Sequence, residues 1–101
     1  MKWYKVLQAA ELGPGEGKTV EPIPGKPIAL FNNNGIFQAI DHTCPHKGGP
    51  LAEGTLKDNC VVCPWHQWTF NLATGENIRN PNVKINVYPA KVTGDAVWIA
   101  I

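Results

Sequence analysis

Apolar residues along this chain come in short bursts, and within a burst they recur at a spacing nearer two than 3.6. No stretch of ten or more residues carries a helical apolar period, so the pattern predicts strands separated by turns. A first strand is expected over 3–7 and a last one over 96–101, with 83–87 and 90–92 alternating around Pro89. Residues 9–12 suit one helical turn before Gly13-Pro14-Gly15. Residues 13–27 hold four Gly and four Pro, which predicts a loop-rich passage around one short strand near 19–21. Pro22, Pro24 and Pro27 keep that strand off the centre of any sheet. The runs 28–31 and 36–40 flank Asn32-Asn33-Asn34-Gly35. Asn-Gly between apolar runs predicts a hairpin, because both residues tolerate positive φ. Thr93-Gly94-Asp95 predicts the turn into the last strand.

The expected class is therefore all-β, and size and composition narrow it. A chain of 101 residues and 11.0 kDa, 44% hydrophobic, suits one packed domain. A domain of this size hides only about two-thirds of its unfolded surface, so a metal staple would help it. Nine Lys/Arg against eight Asp/Glu leave a net charge of +1. That balance excludes a basic nucleic-acid footprint and a polybasic membrane patch. The longest apolar run, 96–101, has six residues, where a membrane-spanning helix needs about 20. Lys2 and Lys5 are followed by Glu11 and a Gly/Pro turn, which leaves no secretory h-region. Three cysteines, an odd number, do not suit a disulfide framework. The expectation is a soluble cytoplasmic chain whose cysteines are ligands or buried thiols.

The chemistry concentrates in 41–75, which holds all three His, all three Cys and two of the four Trp. Cys44-Pro45-His46 and Cys63-Pro64-Trp65-His66 are separated by sixteen residues. Each box offers one thiolate and one imidazole. A zinc finger groups its ligands as a Cys pair and then a His pair around one ion. Two mixed boxes suit two adjacent metals of different character clamped between two loops; a structural zinc site is the alternative. Cys60 makes a formal CxxC with Cys63, and as the simpler reading is a small hydrophobe in the strand leading to the second box. His42 is a fifth ligand or a proton relay on one reading, and on the simpler one it caps or hydrogen-bonds near the loop.

At these residues the chain resembles the Rieske-type ferredoxins, including the ferredoxin-like small subunits of assimilatory nitrite reductases. The run Cys44-Pro-His-Lys-Gly-Gly-Pro-Leu-Ala-Glu-Gly54 is similar to the family's first loop. Cys63-Pro-Trp-His-Gln-Trp-Thr-Phe-Asn-Leu-Ala-Thr-Gly75 is similar to its second. The resemblance implies a small antiparallel β-sandwich-like base (1–41 and 76–101) carrying an inserted two-loop cluster-binding subdomain (about 42–75). It implies one [2Fe–2S] cluster per chain, with Cys44 and Cys63 on one iron and His46 and His66 on the other. Around it, or on a docking face, it sets Lys47, Gly48, Gly49, Trp65, Gln67, Trp68 and Pro81. Arg79-Asn80-Pro81-Asn82 corresponds to a third loop that shields the cluster.

The resemblance also sets the expected electronics. Backbone N–H groups near Gly48 and Gly49 would donate to cluster sulfurs and favour the reduced state. High-potential respiratory members carry an extra Cys in each loop and Ser and Tyr hydroxyls near the sulfurs. The corresponding positions here are Gly49 and Trp65, and Trp68 and Phe70, so a lower potential is expected. The implied role is a one-electron carrier from a flavoprotein reductase to an oxygenase or reductase, as a monomer. The alternatives are the small subunit of a nitrite reductase hetero-complex and a zinc-stabilised interaction module. A second iron site on this chain is excluded by the His count, and no glycine fingerprint for a dinucleotide follows a strand.

Overall fold

A computed structural model describes residues 1–45, 48–65 and 67–101. Ten short strands run β1 Trp3–Gln8, β2 Gly17–Ile23, β3 Lys26–Asn33, β4 Ile36–Asp41, β5 Thr55–Lys57, β6 Cys60–Val62, β7 Thr69–Asn71, β8 Val87–Tyr88, β9 Ala90–Thr93 and β10 Ala96–Ala100. The only helical pieces among the described residues are 3-10 turns at Ala9–Glu11 and Leu51–Glu53. Pairing is antiparallel throughout, in three sheets ordered β1-β10-β9, β2-β3-β4-β8 and β5-β6-β7.

The middle sheet is the shared wall. Residues 28–31 form an unbroken apolar run because β3 is buried on both faces. Ile28 and Leu30 face Leu7, Val20, Ala39, Val97 and Ile99, which close the base against sheet β1-β10-β9. Ala29 and Phe31 face the opposite way, toward Leu51, Val61, Phe70 and Leu72 beneath the two loops. Each fully buried Val, Leu, Ile or Phe among them contributes about 1.5–3 kcal/mol. Cys44 and Cys63 belong to that second cluster, so the loops rest on a core continuous with the base.

The turns follow local chemistry. Asn34 (φ 54) and Gly35 (φ 93) both sit in the left-handed region, closing the expected β3–β4 hairpin at Asn33↔Ile36. Two elements, β2 and 83–87, depart from expectation, and the β5–β6 hairpin has no counterpart in the sequence reading. β2 is longer than 19–21 and pairs with β3 across a Pro24-Gly25 turn, at the sheet edge where Pro22 does no harm. Asp58 and Asn59, at φ 51 and 60, turn β5 into β6. The strand expected over 83–87 is confined to Val87–Tyr88. Residues 83–86 instead wrap past Gly75, where Ile85 N–H donates to Gly75 O at 2.9 Å. Their alternation reflects two side chains turned to the core beneath the loops, Ile85 buried in it and Val83 packed against it. Among the described residues, no helix is long and apolar enough to cross a membrane.

Candidate metal centre

The two boxes build the same device twice. In loop one, Leu51 N–H donates to His42 O at 2.9 Å, Thr43 bridges Pro50, and Cys44 N–H donates to Gly49 O at 2.9 Å. In loop two, Val61 and Val62 pair with Phe70 and Thr69, and Cys63 N–H donates to Trp68 O at 2.7 Å. Each cysteine is the last residue whose N–H still reaches across, to a carbonyl five residues on. Each loop is thus a six-residue cap, 44–49 and 63–68, on a short antiparallel ladder. Both thiols are buried, Cys44 at 1% and Cys63 at 0% exposure.

The caps touch. A Cβ added at Gly49 would sit 2.7 Å from Cys63 Sγ and 3.2 Å from Trp65 Cβ. Only glycine lets the backbone of loop one lie against the sulfur of loop two. Its neighbour Gly48 takes φ 73 to close the turn, with its N–H donating to Cys44 O at 2.9 Å. Gln67 takes φ 56 at the matching place in loop two, an uncommon conformation for a residue with a side chain.

The aromatic pair separates. Trp65 is 49% exposed. Trp68 is half-buried on the core, its ring 6.4 Å from that of Phe70 and tilted by 43°. Cys60 lies at the start of β6, half-buried, as the simpler reading expected. Its thiol is pushed up first by burial and then by the charge of Asp58. His42 sits at the base of loop one, its Nδ1 3.4 Å from both Thr19 Oγ1 and the N–H of Ala52. Pro81 is exposed, and residues 78–80 line a groove with Gln67 and Trp68. His46, Lys47 and His66 lie outside the described residues. Among the described ones, no three His, Cys, Asp or Glu side chains gather into a metal site.

The sequence reading missed the residues that brace the loops. Asp41, just before loop one, accepts from Tyr88 OH at 2.6 Å and from Asn86 N–H at 2.8 Å. Burial and this carboxylate push the Tyr88 phenol up. Asn59 Oδ1 accepts from Asn33 and Gln38, at 3.0 and 3.1 Å, tying the β5–β6 turn to the β3–β4 hairpin. Nothing in a single sequence announces such pairings, which join residues 21–47 positions apart.

Two buried thiols on facing loops of an all-β frame, with a glycine cradle against one sulfur, fit a cluster held from both sides. The comparisons make this specific. The family profile described as Rieske [2Fe-2S] domain matches residues 2–89. Ferredoxin CarAc of Metapseudomonas resinovorans is 32% identical over 99 residues, 97% of this chain and 92% of that one. A crystal structure from Mycobacterium tuberculosis described as an NADH-dependent nitrite reductase small subunit superposes with a TM-score of 0.91 at 28% identity. That superposition covers 97% of this chain and 93% of the other. The oxidised ferredoxin crystallised with the reduced oxygenase of carbazole 1,9a-dioxygenase gives a TM-score of 0.86 at 32% identity, over 97% and 92% of the two chains. The chain belongs to the Rieske [2Fe–2S] family. The cofactor of that family is a [2Fe–2S] cluster.

Proposed function

We propose that this protein is a one-electron carrier with no substrate chemistry of its own, taking electrons from a flavoprotein reductase and giving them to a terminal oxygenase or reductase. The observation that carries it is the pair of six-residue caps, each closed on a buried cysteine and meeting at Gly49 and Cys63. Cys44 and Cys63 would hold one iron, and His46 and His66 the other. Within this reading, 42–75 is the cluster-holding unit and 1–41 with 76–101 the base. Electrons would leave at the histidine edge, since the thiols are buried.

Two ferric ions, two sulfides and two thiolates sum to no net charge, and one electron makes the cluster −1. The loaded chain would pass from +1 to 0, so long-range steering is weak and docking is local. Half-exposed Trp65 offers an apolar contact beside the cluster. An oxygenase acceptor is supported by the carbazole dioxygenase complex, in which a similar ferredoxin meets its oxygenase. A second reading, the small subunit of a nitrite reductase, is favoured by the Mycobacterium tuberculosis structure.

Anaerobic reductive titration tests the reading. One electron taken up per chain, returned on oxidation without loss of iron, is expected. A chain that takes up none after reconstitution with iron and sulfide would overturn it. Comigration with one large partner through dilution favours the subunit; a monomer that exchanges partners favours the free carrier.

A further inference from the structure

Segment 77–83 is a closed loop with a buried pin. Asn77 N–H donates to Val83 O and Val83 N–H to Asn80 O, both at 2.9 Å. The Asn77 side chain, 5% exposed, turns into the loop. Its Oδ1 accepts from Arg79 N–H at 2.9 Å and from Asn80 N–H at 3.0 Å. One amide oxygen thus satisfies two inward-facing backbone donors. The loop is hung on β7, where Asn77 bridges Phe70 and Ile78 N–H donates to Thr69 O at 3.1 Å. Residues 78–80 form one wall of a groove of about 680 Å³ whose other wall includes Cys60, Val62, Gln67 and Trp68. Gln67 is the residue after His66.

We propose that Asn77 is a positioning residue: it holds the 78–80 wall across the groove from Gln67 and Trp68 of loop two and so sets how much water reaches the cluster from that side. The inference rests on the cluster reading above. The reduced cluster is the charged one, and water stabilises charge, so a wall that excludes water disfavours reduction. Releasing the wall makes the iron easier to extract and shifts the potential upward. Replacing the amide by a carboxylate has a different outcome. Asp keeps both acceptor contacts, so the wall stays, while its added negative charge shifts the potential downward.

The test uses the iron-loaded protein and its Asn77→Ala, Asn77→Ser and Asn77→Asp variants. Three quantities are read from each: iron release to a ferrous chelator under native conditions, reduction potential and urea unfolding. Losing both hydrogen bonds in Asn77→Ala should raise the open population, and with it iron release, roughly 30-fold. Its potential should rise. Asn77→Ser, which keeps a shorter acceptor, should fall between Ala and parent and carries the test if Ala does not fold. Asn77→Asp should release iron at the parent rate with a lowered potential. Parent-like release and potential in folded Ala or Ser, or release from Asp as fast as from Ala, would overturn the assignment. A merely structural Asn77 would lower the urea midpoint and leave the potential unmoved. An iron-free parent would sink the cluster reading itself; an iron-loaded parent with insensitive variants would sink only the role of Asn77.

Discussion

Replacing Gly49 by Ala isolates the contact between the two loops. Gly49 is not in the left-handed region, so Ala adds no backbone strain there. What it adds is a carbon 2.7 Å from Cys63 Sγ and 3.2 Å from Trp65 Cβ. Unstrained nonbonded contacts lie near 3.5–4.0 Å, so the overlap with sulfur is about 1 Å. Neither partner yields easily, because Cys63 is fully buried and Trp65 meets the new atom at its stem. Overpacking of this kind costs about 1–3 kcal/mol. For a domain of this size about 2 kcal/mol is roughly 8–16 °C in Tm.

The control is Gly48→Ala. Its φ is 73, and its added carbon would meet nothing nearer than Thr43 Cγ2 at 3.7 Å. It carries a left-handed penalty of about 1–2 kcal/mol without touching the sulfur. Differential scanning calorimetry and iron content should therefore separate the two. Gly48→Ala loses stability and keeps its iron, whereas Gly49→Ala loses both. Full iron loading and an unchanged Tm in Gly49→Ala would refute the argued contact between loops.

Other outcomes follow from single contacts. Cys44→Ser or Cys63→Ser should lose the visible cluster spectrum, while Cys60→Ser, half-buried on β6, keeps it; bleaching by Cys60→Ser would show the ligands to be misassigned. Tyr88→Phe removes the 2.6 Å bond to Asp41 and should cost about 1 kcal/mol in urea unfolding, reduced by its partial exposure; an unchanged midpoint would contradict the brace. The raised Cys60 thiol, caused first by burial and then by Asp58, stays neutral at pH values where an ordinary thiol ionises. Its alkylation at pH 8 should be slower than that of a free cysteine and faster in Asp58→Asn. Its contribution to stability should hold below the ordinary thiol range and fall as pH rises beyond it.

Local signals read correctly where they needed no distant partner. Asn34-Gly35 specified its hairpin because both residues accept positive φ. The residues at Cys44 and Cys63 carried the likeness to the family, and both are buried at facing loops. What stayed hidden depends on long-range contacts. Alternation over 83–87 looks like a strand, but only Val87 pairs with β4, and Ile85 is drawn into the core under the loops. Pro24-Gly25 looks like loop in the sequence because the strand that needs it, β2, shows few apolar residues at its exposed edge. The family likeness sets Gly49 near cluster sulfurs, but its contact with Cys63 exists only once the two caps are brought together. Asp41 and Asn77 carry no motif, and their meaning lies in which backbone groups they satisfy.

Pulsed EPR of the anaerobically purified, dithionite-reduced protein, on a sample with measured iron and sulfide, decides whether the chain holds a cluster with both sulfur and nitrogen ligands. About two irons and two sulfides per chain are expected, with a mixed-valence signal coupled to two imidazole nitrogens. Stoichiometric zinc with no sulfide, or a cluster signal without nitrogen coupling, would contradict this reading.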